Sequence, residues 1–244
     1  SSKYNEFLSN LISEKLHENW SPEQISNALL NGKLSFKTIY NWIYIGKLKG
    51  ISFKNLRHKG KRRKKETRGK FLIGNSITTR PKDVKSRKTF GHWELDTIVS
   101  SRGKSKACLA TFVERKTRFY VAIKIKDRTA PSMLKAIKKL VKVLPKKALK
   151  TFTTDRGKEF ACYKEVEKLN IKVYFADAYA AWQRGSNENS NGLLREYYPK
   201  KTDLGKISND DLIEKLILLN SRPRKCLNWN NPFNLFLKEM SHLD

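Results

Sequence analysis

The sequence has few of the residues that build disulfide frameworks or zinc sites. Its 244 residues include 3 cysteines and 4 histidines. The cysteines are Cys108, Cys162 and Cys226, which lie far apart and without paired spacing. Structural zinc sites and disulfide networks both need closely spaced ligands or partners. We therefore expect neither, and we expect the protein to work in a reducing cytoplasm.

Long hydrophobic runs and acidic residues are also scarce. No apolar segment approaches the length of a membrane span, and the chain does not begin like a signal peptide. Asp and Glu number 23 against 52 Lys and Arg, which gives a formal net charge of +29. Such an excess indicates a polyanionic partner, and DNA or RNA fits it better than a membrane surface. Part of the Lys excess also fits a general bias in composition.

The first 50 residues have the pattern of a helix-turn-helix domain. A first amphipathic helix is predicted over residues 3–19, and Ser21-Pro22-Glu23-Gln24 is a capping box that begins a second helix. After a turn with Gly, Ser35 begins a third helix, the predicted reader of DNA. Any small three-helix bundle has a similar pattern, but the positive charge favours DNA binding. The outward residues predicted to contact DNA are Lys37, Thr38 and Asn41.

A strongly basic stretch follows within residues 51–88, which we predict to be a linker. Lys54 to Lys70 contains ten Lys or Arg and a single Glu. Such a run is typical of a solvated or targeting segment. Directly after a predicted DNA reader, contact with DNA phosphates is the favoured interpretation. The residues predicted to make these contacts are Lys61, Arg62, Arg63, Lys64 and Lys65.

Three acidic residues stand at positions that fit a shared site. In GHWELDTIVS, residues 91–100, alternation places Asp96 on the same strand face as Glu94. A β-rich run brings Asp155 to a strand end, and a helix that starts near residue 186 carries Glu188. Singly, each acid also fits a turn former, an Asx turn or a solvated helix residue. Together, with Arg195 two turns beyond Glu188, they favour a metal site.

Five motifs carry a resemblance to a known family. They are GHWELD at 91–96, FVERKTRF at 112–119, TTDRGKEFA at 153–161, VYFADAYAAWQRGSNENSNGLLREYYPKKTDL at 173–204 and LNSRPRKCLNW at 219–229. The sequence resembles the Asp-Asp-Glu transposases of the insertion sequence 30 family, which have an RNase H-like core. The resemblance covers residues from about 20 to 235. It departs from the family pattern at Arg156, at Leu95 and in a loop that contains Ala178, Ala180 and Ala181.

The resemblance implies the catalytic residues and their cofactor. Asp96, Asp155 and Glu188 are then the catalytic triad and the ligands of two Mg²⁺ ions, with Mn²⁺ as a substitute. Asp96 would contact both ions, and the other two acids one ion each. The residues implied to contact DNA near the active site are Arg195, Trp182, Gln183 and Arg184, although Trp182 fits a core position equally well. Arg156 would compete with a metal ion or steer a phosphate.

The resemblance also implies the architecture. We expect an α/β core over residues 89–244, with a mixed five-stranded sheet flanked by helices and a C-terminal helix. It follows the small all-α domain of residues 1–50 and the basic linker of residues 51–88. Family members carry a further helix-turn-helix before this one, so we expect either a part of a longer protein or a short relative.

The implied activity is that of a transposase. It would bind the terminal inverted repeats of its element and catalyse metal-dependent DNA cleavage and strand transfer. The partners would be double-stranded DNA, as element ends and target, and further copies of the chain in a dimer or higher assembly; no membrane is involved. The setting would be the nucleoid of a bacterial cytoplasm. Two alternatives remain: an RNase H-like nuclease or resolvase without strand joining, and a non-catalytic helix-turn-helix regulator.

Overall fold

The computed structural model describes residues 5–57, 74–101, 103–177 and 181–243, and of Ala181 and Trp182 it describes the backbone alone. Contacts divide the chain into two compact units, Ser1–Glu66 with Ser221–Pro232 and Thr67–Asn220 with Phe233–Asp244. Within the described ranges, no helix is both long enough and apolar enough to cross a bilayer.

The first unit has the predicted order of helices. It contains α1 (Glu6–His17), α2 (Pro22–Gln24), which continues as a π-helical turn (Ile25–Leu29), and α3 (Phe36–Tyr44). The predicted capping box begins α2, because Ser21 and Gln24 each bind the other's backbone N–H. The buried side chains that hold the helices together are Ile12, Leu16, Ile25, Leu34, Ile39, Trp42, Ile43, Leu48 and Ile51.

A distant segment of the chain completes this unit. We predicted that residues 221–232 belong to the core of residues 89–244, but their contacts are with the N-terminal helices. Gln24 Nε2 donates to the Pro223 carbonyl at 2.6 Å, and Lys225 Nζ lies 2.7 Å from Glu23 Oε1. The pairing joins residues about 200 positions apart, and no local pattern in a sequence encodes such a contact.

The second unit is built around a mixed sheet. Its strands are β1 (Asn75–Ser76), β2 (His92–Val99), β3 (Cys108–Glu114), β4 (Tyr120–Ile125), β5 (Thr151–Thr154) and β6 (Lys172–Phe175). Their order is β1-β6-β5-β2-β3-β4, with β2, β3 and β4 antiparallel and the remaining pairs parallel. In the described part of the chain the sheet therefore has six strands and not the five predicted. The sixth, β1, has two residues, too few for an alternating pattern to indicate a strand.

Helices cover both faces of this sheet. They are α4 (Lys82–Ser86), α5 (Ala130–Val143), α6 (Tyr163–Glu167), α7 (Gly185–Tyr197), α8 (Asn209–Ser221) and α9 (Pro232–Met240). Side chains of α5, α6 and α9 pack with Trp93 and Leu95 in one cluster, while α7 and α8 pack with Ile98 in another. The alternation predicted for β2 is thus confirmed, and it leaves Asp96 on the face that α7 covers. This is the mixed α/β core that the sequence predicts.

Candidate active site

Two of the three predicted acids lie side by side in the sheet. Asp96 is in the middle of β2, and Asp155 directly follows the parallel neighbour β5. Glu94 pairs with Thr153 in the parallel ladder of β2 and β5. Asp96 and Asp155 are each two positions further along, so they are neighbours at the end of this ladder. Asp155 is held in a tight turn, because the Gly157 N–H donates to its Oδ1 at 2.9 Å.

The guanidinium of Arg184 joins the two carboxylates. Its Nη2 lies 3.3 Å from Asp155 Oδ2, and its Nη1 lies 3.6 Å from Asp96 Oδ2. Nη1 also donates to the Leu95 carbonyl at 3.4 Å. Asp96 and Asp155 therefore converge on one cationic group.

Burial changes the acidity of Asp96. Loss of solvent raises the pKa of this carboxyl from 3.8 to about 6. The nearby Arg184 charge opposes the rise, whereas the like charge of Asp155 adds to it. A strand-face carboxyl with so high a pKa, next to a second carboxylate, is the electrostatic arrangement that a bound cation relieves.

A polar chain from the sheet orients Asp96 from its other side. Asn191 Nδ2 donates to Asp96 Oδ2 at 3.1 Å, and Tyr120 Oη donates to Asn191 Oδ1 at 2.7 Å. Tyr120 is fully buried, and burial raises the pKa of its phenol well above the ordinary value, so it stays a neutral donor. This donor fixes which way the Asn191 amide points, and its NH₂ group faces the carboxylate.

The first turn of α7 is tied to the sheet through a buried amide. Asn187 is fully buried; its N–H donates to Glu94 Oε2 at 2.9 Å and its Nδ2 to the Glu94 carbonyl at 2.8 Å. Thr111 Oγ1 donates to Asn187 Oδ1 at 3.2 Å, and Arg115 pairs with the Glu94 carboxylate. Glu188 is the next residue on this helix, so the network fixes the position of its backbone.

The third predicted acid, Glu188, lies in the first turn of α7. Its side chain is exposed, one turn before Asn191 on α7. Among the described residues, no three His, Cys, Asp or Glu side chains lie close enough together to hold a metal ion. The structure thus brings Asp96 and Asp155 together, and the inclusion of Glu188 in one triad stays a prediction.

A fourth acid, Glu159, lies against this site and was not singled out from the sequence. It is fully buried, and its Oε1 accepts hydrogen bonds from Arg128 Nε at 2.6 Å and from the Thr97 hydroxyl. Its Oε2 has no hydrogen-bond partner among the described residues. A Cβ added at Gly157 would lie 2.5 Å from Glu159 Oε2 and 2.9 Å from Asp155 Oδ1.

The donor set suits a hard divalent cation. The carboxylates of Asp96 and Asp155 meet at Arg184, and the buried Glu159 near Asp155 has one oxygen without a partner among the described residues. Oxygen ligands of this kind are those that Mg²⁺ and Mn²⁺ prefer. The chemistry of these donors therefore fits the metal ions that the family resemblance implies.

The other residues predicted near the active site have structural contacts of their own. Gln183 and Asp177 form a reciprocal pair, with Asp177 N–H donating to Gln183 Oε1 at 2.8 Å and Gln183 Nε2 to Asp177 Oδ2 at 2.9 Å. Arg195 Nη2 donates to the Val99 carbonyl at 2.8 Å. The guanidinium of Arg156 lies over the Phe175 ring, 5.5 Å from its centroid. A role of Gln183 or Arg195 in DNA binding stays a prediction.

The remaining residues singled out from the sequence divide into those that the structure describes and those that it does not. On α3, Lys37 and Asn41 are exposed and Thr38 is half-buried, as expected for the outer face of a reader helix. The side chain of Trp182, residues Ala178 and Ala180 and the linker residues Lys61, Arg62, Arg63, Lys64 and Lys65 lie outside what the structure describes.

Comparison with known proteins gives consistent matches. Residues 86–181 match the model of the integrase core domain family. The transposase InsI for insertion sequence element IS30A of Escherichia coli is 35% identical, with 92% of this chain aligned to 63% of that protein. The transposase for insertion sequence element IS1086 of Cupriavidus metallidurans is 35% identical, over 93% of this chain and 71% of that protein. The transposase for element IS4351 of Bacteroides fragilis is 38% identical, over 92% and 71%. The chain thus spans less than two thirds of the length of the Escherichia coli relative.

Proposed function

The chain belongs to the insertion sequence 30 family of transposases, and on this premise we propose that it cleaves and joins DNA at the ends of an insertion element. It would bind the terminal inverted repeats and act as a metal-dependent polynucleotidyl transferase. The observation that carries the proposal is the convergence of Asp96 and Asp155 on one cationic group, Arg184.

Asp96, Asp155 and Glu188 would hold the metal ions, two Mg²⁺ in the ordinary case and Mn²⁺ as a substitute. When bound, such ions activate the attacking hydroxyl or water and stabilise the leaving oxygen of a phosphodiester. The same ions would serve strand nicking and the attack of the freed 3′-hydroxyl on target DNA.

The protein's own groups would prepare this site. Asn191, oriented by Tyr120, holds one oxygen of Asp96 in place. Asn187 holds the start of α7, and hence the backbone that carries Glu188. Arg184 supplies a planar guanidinium beside the acids, a group suited to bind a phosphate through two hydrogen bonds.

The partner in this proposal is double-stranded DNA. The exposed outer face of α3 would read the repeat through Lys37, Thr38 and Asn41, while the basic linker would contact phosphates. A net charge of +29 supports a polyanionic partner of this kind. Two element ends must meet in transposition, so at least a dimer on DNA is expected.

The test is an assay of products. The protein is incubated with Mg²⁺ and DNA that contains the element's terminal repeats, and all products are sequenced. Joined products that contain an element end linked to a new site support the proposal, and Asp155→Asn should abolish them. Nicks without joining, also with pre-cut ends, would favour a nuclease or resolvase.

The helix-turn-helix and the charge also favour one rival, a regulator that binds DNA without catalysis. Such a protein would bind the repeats equally well after replacement of Asp96 or Asp155, and it would give neither nicks nor joined products with Mg²⁺.

A further inference from the structure

The buried carboxylate of Glu159 has one oxygen that its ion pair does not explain. We propose that Glu159 is a positioning residue of the catalytic site, whose Oε2 serves as an outer ligand of the divalent cation at Asp155 by accepting a hydrogen bond from its hydration water. The inference rests on the proposed function and adds an acid to it.

The two oxygens of Glu159 differ in their surroundings. Oε1 accepts hydrogen bonds from Arg128 Nε and from the hydroxyl of Thr97. Oε2 is buried and has no partner within the described part of the chain. An ion pair with Arg128 accounts for the burial of the charge but not for Oε2, because a buried carboxylate oxygen without a donor is unfavourable. A donor that is not part of the protein is therefore expected at Oε2.

The position of Oε2 indicates what that donor is. Oε2 and Asp155 Oδ1 both lie within 3 Å of the point where a Gly157 side chain would begin. Both atoms belong to acidic groups, so they repel each other when both groups are ionised unless a cation or its water lies nearby. Arg128 and Arg184 do not supply this cation, because Arg128 binds the other oxygen of Glu159, Oε1, and Arg184 lies at the other oxygen of Asp155, Oδ2.

Gly157 lets the carboxylates of Glu159 and Asp155 approach its backbone closely. Its backbone angles, φ −69° and ψ 146°, are extended and accessible to any residue. Its lack of a side chain is therefore not required by backbone conformation. A methyl group at Gly157 would instead collide with Glu159 and Asp155. The glycine is explained by the close approach of these two carboxylates to its backbone, and a side chain there would push them apart.

Glu159 also connects to the second aspartate. The Thr97 hydroxyl donates to Glu159, and the Thr97 N–H donates to Asp96 Oδ1 at 2.8 Å. The buried Glu159 is thus linked to Asp96 through Thr97, and it also lies near Asp155. Groups that orient ligands in this way change metal affinity by about 10- to 100-fold when they are replaced.

The experiment measures Mn²⁺ binding to the full chain by calorimetry, without DNA, together with thermal unfolding. Glu159→Gln keeps an oxygen for Arg128 and Thr97 and places an NH₂ group toward Asp155. We expect the melting temperature to fall, because Arg128 loses its charged partner, and at temperatures well below unfolding we expect Mn²⁺ affinity to fall about 10- to 100-fold. Gly157→Ala should also weaken Mn²⁺ binding, without any change of charge. Glu165→Gln, at an exposed acid of α6, is the matched control and should change neither quantity.

Two results would overturn the inference, and they differ in what else they overturn. If Asp155→Asn abolishes Mn²⁺ binding but Glu159→Gln and Gly157→Ala leave it unchanged, Glu159 is a structural ion-pair residue and the proposed function stands. If the wild-type chain binds no Mn²⁺, or binds it equally well as Asp155→Asn, the metal site of the proposed function fails with it.

Discussion

Arg184 and Asp155 form an ion pair of 3.3 Å between Nη2 and Oδ2, and the same guanidinium reaches Asp96. The pair places a positive charge where the two carboxylates meet. Arg184 is thus a counterion of both acids, and its contact with a DNA phosphate belongs to the proposed function.

The first prediction concerns this charge. Because Arg184 lowers the pKa of Asp96, Arg184→Gln should raise that pKa above its value of about 6. The measurement is a pH titration of the aspartate carboxyl carbons by NMR in the metal-free protein. Arg156→Gln is the control, since Arg156 is close in sequence but stacks on Phe175. A titration midpoint that does not move in Arg184→Gln would show that the ion pair does not form in solution.

The second prediction concerns the attachment of α7 to the sheet. Asn187→Ala removes the side-chain donor to the Glu94 carbonyl and the acceptor for Thr111, and both groups are buried. The free energy of unfolding should fall by about 1–3 kcal/mol. Urea denaturation measures this, with Asn189→Ala at an exposed position of the same helix as control. Equal stability of the two variants would contradict the role given to Asn187.

Some residues of the candidate site could be predicted from the sequence, and others could not. Alternation in β2 correctly placed Asp96 on the other strand face from Trp93 and Leu95, because successive side chains of a strand point to opposite faces. Nothing of the kind marks Asn187 or Glu159. A polar residue near a helix start looks solvated until the partner strands are known.

The role of Arg184 could be predicted from the sequence only in part. Its motif indicated a residue of the active site, but its contact with the aspartates depends on the path of the loop before α7 and on the pairing of β2 with β5. The six-stranded order and the segment 221–232 likewise arise from contacts between distant parts of the chain. Such contacts leave no periodic signal.

The third prediction separates reading from chemistry. Replacing Lys37, Thr38 and Asn41 together by Ala should weaken binding to the terminal repeats and spare metal-dependent nicking of other DNA. None of the three is buried, so the fold of the first unit should persist. Binding to repeat and scrambled duplexes, measured beside nicking, tests this. An equal loss of both activities would contradict the division of labour.

The fourth prediction concerns the basic linker. If it binds phosphates, the affinity for duplex DNA should fall with salt, by a log–log slope of about −0.9 per contact. Replacing Lys61, Arg62, Arg63, Lys64 and Lys65 by Ser should make this slope shallower by several units. Binding titrations at several salt concentrations measure it. An unchanged slope would show that the basic run is a solvated linker that does not contact phosphates.

The fifth prediction tests Glu188, the acid whose place in the triad is still a prediction. Glu188→Gln keeps the size of the side chain and removes the charge that a metal ion needs. The residue is exposed, so folding and DNA binding should remain. Cleavage and joining should both fall, because one set of ions serves both reactions. The matched control is Glu214→Gln, which removes the charge of an exposed acid on α8.

The most direct measurement is the rate of strand transfer from pre-cut element ends in Mg²⁺, compared among wild type, Glu188→Gln and Glu214→Gln. We predict a loss of at least about 10³-fold for Glu188→Gln, as for other members of a catalytic group that acts as a unit, and a rate near that of wild type for Glu214→Gln. Joining at a near-normal rate by Glu188→Gln would contradict the triad of Asp96, Asp155 and Glu188.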